Sequence, residues 1–444
     1  MIRESGADVW RSCLITSSFL FATCLSDAVL GDTAAAASNK TRGIELFLTS
    51  NTDAGMAASG HSVTFSARID NHGDATASGS LTWHVKSTGP TQNPTLSKLS
   101  VDAGKARVVK YDLTLQQAGF AEVECVFSDE RTENEVSGRL RIGWQPDRVI
   151  SSLTRQTDFA VFWKNAISEL QAIPPAFETV ERVDLSDHRI RVFEVSMRSH
   201  QQIRVRGWLE VPRTATGQLP VVIRVPGYGQ NMRPIGQWDD MIVFSFNPRG
   251  HGNSQQDIPG KPVDFWIRGL DDPQTYYYKG SYLDCIRAVD FVMSRPDVDP
   301  DRIAVWGGSQ GGGFAFATAA LDSRVDYCLA DIPFLCDWVN YFQLTHWPEM
   351  DGWIADQSHR NWQSTLRTLS YFDTMNLADR IRCPTLMSIG LQDQVCPPTT
   401  CFAVFNRIPG KKRYRIYPEK KHGLGRKHHK WIWQELRQAF GLPE

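Results

Sequence analysis

The chain is 444 residues long, 41% hydrophobic and 22% charged, with a formal net charge of −1. That length exceeds one comfortable domain, so two are expected, with enough apolar material for a large core. The near-neutral balance excludes partners recognised by bulk charge, so no nucleic acid or anionic membrane is expected.

At the N-terminus, Arg3 and Arg11 precede a mostly apolar run from Cys13 to Leu25, followed by small residues. This predicts a secretory signal and tail over 1–38 and an exported protein. The run is too short to span a bilayer. Over 41–145 the runs "HSVTFSARID", "SGSLTWHVKS", "ARVVKYDLTL" and "AEVECVFS" alternate in polarity between Gly, Asn, Asp and Pro clusters. That pattern predicts a small Ig-like β-sandwich. Period two puts Leu81, Trp83 and Val85 on one face, so Trp83 is expected in the core and not as a sugar-stacking platform. "GWQPDR", 143–148, reads as a linker.

From 150 to 444 strands and helices alternate. "DFAVFWKNAISELQAI" predicts a helix, and "PVVIRV" and "MIVFSF" are the near-continuous apolar runs of strands buried on both faces. "SYLDCIRAVDFVMSR" spaces Leu283, Ile286, Val289 and Val292 as a helix does. "RIAVW", "YCLADI", "TLMSIG" and "RYRIY" add strands, and "HHKWIWQELRQAF" ends the chain as a helix. The expected fold class is α/β, a doubly wound and mostly parallel sheet preceded by the sandwich. An aromatic-rich insert between "DIPFL" and "RCPTL" holds Trp338, Tyr341, Phe342, Trp347, Trp353 and Trp362. Core or subunit contact is expected for most of them. Nine cysteines include no C-x-x-C pair, so no metal site is expected, and pairing between Cys396 and Cys401 is left open.

"VWGGSQGGGFAFATAAL", Val305 to Leu321, passes from strand to helix through Gly307-Gly308-Ser309-Gln310-Gly311. A turn this sharp strains its central residue, admits only glycine beside it, and lifts the serine hydroxyl above the sheet. Backbone N–H groups at the start of the helix then face the place where an oxyanion would form. A serine nucleophile needs a base, and the base needs a carboxylate to orient it. Asp393 follows strand "TLMSIG" and His422 follows strand "RYRIYP", both in loops at strand ends where such folds keep their function. The order serine, acid, histidine is the α/β-hydrolase order. Asp373 and Asp379 are rival acids that precede the strand. His428 and His429 are rival bases that begin the last helix.

"GGSQGGGFAFATAALDSRV", "ADIPFL", "SIGLQDQVCPPTTCFAVFN" and "YPEKKHG" resemble the acetyl xylan esterase/cephalosporin C deacetylase family. "VPGYGQN", "NPRGHGNS" and "TYYYKGSYLDCIRAVDF" fit it in the same order, from about Asp158 onward. The resemblance implies a cofactor-free serine esterase acting on acetylated carbohydrate. It implies Ser309 as nucleophile, Asp393 as acid and His422 as base, with the backbone N–H groups of Gln310 and Tyr228 as oxyanion donors. Tyr228, Pro333 and Phe334 are expected to close an acetyl-sized pocket. Pro226, Asn247 and Gly423 depart from the family pattern and bear on substrate range. The sandwich is absent from compact members, so their ring-like oligomer is not assumed and the oligomeric state stays open. All these groups lie beyond residue 225, so the sandwich is expected to be dispensable for chemistry. The competing readings are a prolyl-oligopeptidase-like peptidase, a general carboxylesterase and a non-catalytic secreted glycan-binding protein.

Overall fold

Alternating burial along Ile44–Ser50 and Gly119–Asp129 marks strands with one face in a core. A computed structural model describes residues 39–443 apart from 42, 53, 88–92, 133, 215 and 259–263. The expected signal, with Cys13 and Cys24, lies outside the described residues. The first half holds β1 (Asn39–Thr41), β2 (Ile44–Ser50), β3 (Met56–Ala57), β4 (Ser62–Asn71), β5 (Ala77–Ser87), β6 (Thr95–Val101), β7 (Ala106–Thr114), β8 (Gly119–Asp129) and β9 (Glu135–Trp144). They form two sheets, β1-β2-β4-β7 and β3-β9-β8-β5-β6, packed over Leu46, Phe65, Leu81, Trp83, Phe127 and Ile142. Trp83 is 3% exposed, a core residue.

The expected linker is shorter than its sequence suggests. β9 runs through Gly143 and Trp144, and Trp144 is fully buried with its indole N–H on the His61 carbonyl at 3.1 Å. Burying an indole outweighs the loop-forming tendency of its neighbours. Only Gln145, in a left-handed conformation, and a single turn at Pro146–Arg148 connect the two halves.

The second half holds β10 (Glu178–Glu181), β11 (Ile190–Arg198), β12 (Arg204–Pro212), β13 (Leu219–Val225), β14 (Ile242–Asn247), β15 (Val298–Gly308), β16 (Tyr327–Asp331), β17 (Thr385–Gly390) and β18 (Lys412–Tyr417). The sheet order is β10-β11-β12-β14-β13-β15-β16-β17-β18. Pairing is antiparallel from β10 through β12 to β14 and parallel from there to β18.

The helices are α1 (Phe159–Gln171), α2 (Tyr277–Met293), α3 (Gln310–Leu321), α4 (Trp338–Leu344), α5 (Pro348–Ala355), α6 (Trp362–Ser370), α7 (Thr374–Leu377), α8 (Pro398–Phe405) and α9 (Gly425–Ala439). Trp163 of α1, Leu283 of α2, Phe314 of α3 and Phe402 of α8 belong to one core. Ile432, Trp433 and Leu436 of α9 belong to the core on Val222, Val243 and Ala304 of the sheet. Helices thus cover both faces, which is why β13, β14 and β17 are apolar almost throughout.

α2 is buried nearly all round, so its polar residues need partners. Asp284 takes Arg249 in a bidentate pair at 2.8 and 2.8 Å and also accepts the Arg249 backbone N–H at 2.9 Å. This pins the "NPRGHG" turn beside the site. In the insert, Trp338, Tyr341 and Trp347 are buried and Trp362 is 37% exposed. Trp347 stacks on Trp266 at 4.3 Å. No helix among the described residues is long and apolar enough to cross a membrane.

Candidate active site

Ser309 joins β15 to α3 with φ 57 and ψ −120, a conformation that a non-glycine residue adopts only under strain. The turn is held because its neighbours leave no alternative. A β-carbon on Gly307 would lie 2.6 Å from the Gly311 backbone, and one on Gly311 2.5 Å from the Val225 carbonyl oxygen. The Ser309 N–H donates to the Asp331 carbonyl at 2.9 Å, and its carbonyl accepts from Phe334 and Gly313 at 2.9 and 3.1 Å. The side chain is left free to face the loops beyond β17 and β18.

Those loops bring Asp393 and His422 to it. The Ser309 hydroxyl lies 3.0 Å from His422 Nε2, and His422 Nδ1 lies 2.8 Å from Asp393 Oδ2. The other Asp393 oxygen accepts the backbone N–H groups of Val395 and Cys396 at 2.8 and 2.9 Å. Asp393 is fully buried while the His422 side chain stays 27% exposed. A carboxylate fixed by three hydrogen bonds holds Nδ1 protonated and aims Nε2 at the hydroxyl. The arrangement can take a proton from Ser309 and return it to a leaving group. The donor atoms of Asp393, Cys396 and His422 lie within 4.8 Å of one another. The Asp393–His422 hydrogen bond already engages two of the atoms a metal would need.

The rivals have other work. Asp373 caps α7 and accepts the backbone N–H groups of Asp337, Trp338 and Met375. Burial, with Asp337 nearby, pushes its carboxyl up to about 7. Asp379 faces Arg155 at the surface. His428 is buried against Asp331 at 2.9 Å and Tyr417 at 2.9 Å, and His429 stands edge-on to Trp306. Cys396 and Cys401 are separate buried thiols, and the Cys401 thiol turns to the Pro333 carbonyl at 3.4 Å.

The backbone N–H groups of Gln310 and Tyr228 have no partner among the described residues. The Gln310 side chain is fixed by a buried network that sequence reasoning missed. Tyr278 OH donates to Gln310 Oε1 at 2.8 Å, and the Gln310 amide nitrogen lies 3.2 Å from His251 Nε2. His251 Nδ1 donates to the Gln230 carbonyl at 2.8 Å. Only a neutral imidazole can donate at one nitrogen and accept at the other. Burial pushes His251 down from 6.5 to about 4 in agreement.

A histidine depressed in the fold contributes stability that is present above its unfolded value and lost as pH falls through its folded one. Stability is therefore expected to drop by on the order of 3 kcal/mol between about pH 6.5 and pH 4 through this residue. His251→Gln, which keeps a donor and an acceptor, should flatten that slope in urea unfolding measured across the window. An unchanged slope contradicts the network.

Tyr228 is half-buried with its ring packed on the core, and Pro333 and Phe334 are buried beside the Ser309 turn. Phe334 meets Trp338, Tyr341 and Trp347 edge-on, so the aromatic insert backs this wall of the site.

The sandwich, expected to be dispensable for chemistry, reaches the loop that carries Asp393. Arg141 of β9 donates its backbone N–H to Gln392 Oε1 at 2.8 Å, and the Gln392 amide returns a bond to the Arg141 carbonyl at 3.1 Å. The Arg141 guanidinium donates to the Asp393 carbonyl and to the Leu391 carbonyl at 3.4 Å, and pairs with Glu122 at 2.6 Å. Gln392 N–H in turn holds the Lys420 carbonyl at 2.9 Å, joining the acid loop to the loop of His422. Nothing local in the β9 sequence signals this contact. A groove of about 320 Å³ runs along the seam between Arg139 and Arg141 on one side and His346 and Gln394 on the other.

A doubly wound sheet with a strained serine turn, a histidine and an acid at successive strand ends defines an α/β-hydrolase, here a serine carboxylic ester hydrolase. The family model for acetyl xylan esterase (AXE1) matches residues 149–436, and the chain belongs to that family. It is 28% identical over 354 residues to the acetyl esterase Axe7A of Xylanibacter ruminicola, covering 75% of this chain and 77% of that protein. Among solved structures it is similar to an acetyl xylan esterase from Paenibacillus sp. R4, at 38% identity and TM-score 0.61, covering 67% of this chain and 98% of the other. Acetyl xylan esterase 1 from Thermoanaerobacterium sp. JW/SL YS485 matches at 29% identity and TM-score 0.60, with the same coverage of both chains.

Proposed function

We propose that this protein deacetylates acetylated xylan or xylo-oligosaccharides through an acetyl-enzyme on Ser309. The single observation that carries the reading is His422 bridging Ser309 and Asp393 at 3.0 and 2.8 Å. Ser309 Oγ attacks the acetyl carbonyl as its proton passes to His422 Nε2, and Asp393 stabilises the imidazolium. The unspent N–H groups of Gln310 and Tyr228 receive the oxyanion. His422 gives the proton to the departing sugar oxygen, which leaves as a hydroxyl. A water deprotonated by the same histidine then attacks the acetyl carbonyl, and His422 returns that proton to Ser309 Oγ as acetate leaves. No cofactor enters this sequence. Export of the chain, suggested by the apolar run at Cys13–Leu25, agrees with a polymeric glycan substrate.

The acyl side is expected to admit acetate and little more. Pro333 and Phe334 are buried against the serine turn, and Phe334 is backed by three further rings, so extra methylenes must displace packed atoms. Overpacking costs typically about 1–3 kcal/mol, roughly 5- to 150-fold in kcat/KM. The test is acetate release from acetylated xylan and cephalosporin C beside kcat/KM for p-nitrophenyl acetate, butyrate and octanoate. Release from xylan with a steeply falling ester series supports the reading. A flat or rising series moves the protein to a general carboxylesterase.

A further inference from the structure

His422 sits in a run of positive charge. Lys420 and Lys421 precede it, and Arg426, Lys427 and Lys430 follow in the first turns of α9. Glu419 is the only acid between positions 418 and 434, so five cations accompany one anion along this stretch of a chain whose formal charge is −1. Lys421, Lys427 and Lys430 are exposed, and Lys420 lies 3.7 Å from Glu419 with 44% of its side chain exposed.

The placement runs against helix electrostatics. The N-terminal turn of a helix carries positive partial charge and favours acids. α9 has no acid in its first turn and has Arg426 and Lys427 there instead. A local rule broken on a helix that starts beside the site points to function. The segment is also open: apart from its own neighbouring chain, nothing among the described residues lies within 4 Å of where a β-carbon would stand on Gly423 or Gly425. A ligand can therefore lie along the loop directly after the catalytic base.

We propose that this basic rim binds carboxylates carried by the glycan, making the substrate an acetylated polysaccharide that bears uronic acid residues. The inference rests on the carbohydrate-esterase reading above. Four of the five cations are lysines. Ammonium groups on flexible stems act as point charges and suit irregularly spaced carboxylates, whereas arginine forks suit one fixed bidentate partner. Lys421 is the immediate neighbour of His422, so a carboxylate held there lies within a sugar or two of the ester being cut. Clustered charge of one sign beside a site raises the local concentration of an oppositely charged substrate.

The test compares acetylated glucuronoxylan with the same polymer after reduction of its carboxyl groups, which keeps the acetyl esters and removes the anions. The readout is the ratio of kcat/KM on the two polymers, which cancels any general change in the site. The wild-type ratio is expected to be about 10 at low salt. It should approach 1 in about 1 M salt, where screening acts over about 3 Å. The Lys421→Glu/Lys427→Glu double variant should bring the ratio to 1 or below at low salt. Equal rates on both polymers with the wild-type enzyme at low salt overturn the inference alone, as does a double variant that keeps the wild-type ratio. Hydrolysis of p-nitrophenyl acetate with no acetate from either polymer overturns the carbohydrate reading and the inference with it.

Discussion

Ser309→Ala is expected to lower kcat on acetyl esters by about 10⁶-fold, or about 8 kcal/mol of barrier. The Ser309 hydroxyl bonds His422 at 3.0 Å and also reaches the Cys396 thiol, while the strained turn is held by backbone contacts to Asp331, Gly313 and Phe334 that alanine keeps. The melting temperature should therefore stay close to that of the parent protein. Residual activity above about one per cent of wild type in a folded variant is incompatible with Ser309 as the nucleophile. Loss of the fold would mean that the hydroxyl serves structure.

The second expected result concerns a residue in the other half of the molecule. Arg141→Ala should lower kcat by about 10- to 100-fold while KM changes little, because it frees the loop that carries Asp393 rather than any group in contact with substrate. The argument is geometric. The guanidinium spans from Glu122 to the carbonyls of Leu391 and Asp393, and its side chain is only 12% exposed. An acid displaced by an ångström leaves the imidazole misaimed. Arg141→Lys keeps the charge and one donor and should recover part of the loss. A chain lacking the whole sandwich should fare no better than the alanine variant, since it also strips Gln392 of its Arg141 partners and Phe402 of Phe120. Full activity in a soluble, folded truncation would return the sandwich to the role of separable appendage.

Arg141 also shows where sequence reading stops. A charged residue alternating with apolar ones on a strand reads as a solvated position, and nothing near it in the chain names a partner some 250 residues away. By contrast the meeting of Ser309, Asp393 and His422 was legible because each follows a strand, apolar before Ser309 and Asp393 and mixed before His422, and because a strand end fixes where its loop must stand. The same contrast holds within α2. Its apolar spacing predicts a helix with one buried stripe, yet the burial of Asp284 and Arg249 depends on their pairing across two elements. The linker misjudged at "GWQPDR" turns on one indole, whose burial is decided by the sandwich core and not by its neighbours in sequence. His251 lies in the "NPRGHGNS" run, but its hold on Gln310 emerges only when the turn after β14 and the start of α3 are brought together.

The most direct measurement is to mix the enzyme with acetylated xylo-oligosaccharide, quench in acid during turnover, and map the acetylated peptide by mass spectrometry. One acetyl group on Ser309, appearing and decaying as acetate is released and absent in Ser309→Ala, is the predicted result. Acetate release with no acetyl group on Ser309, or with acetyl transiently held at another residue, would contradict the account.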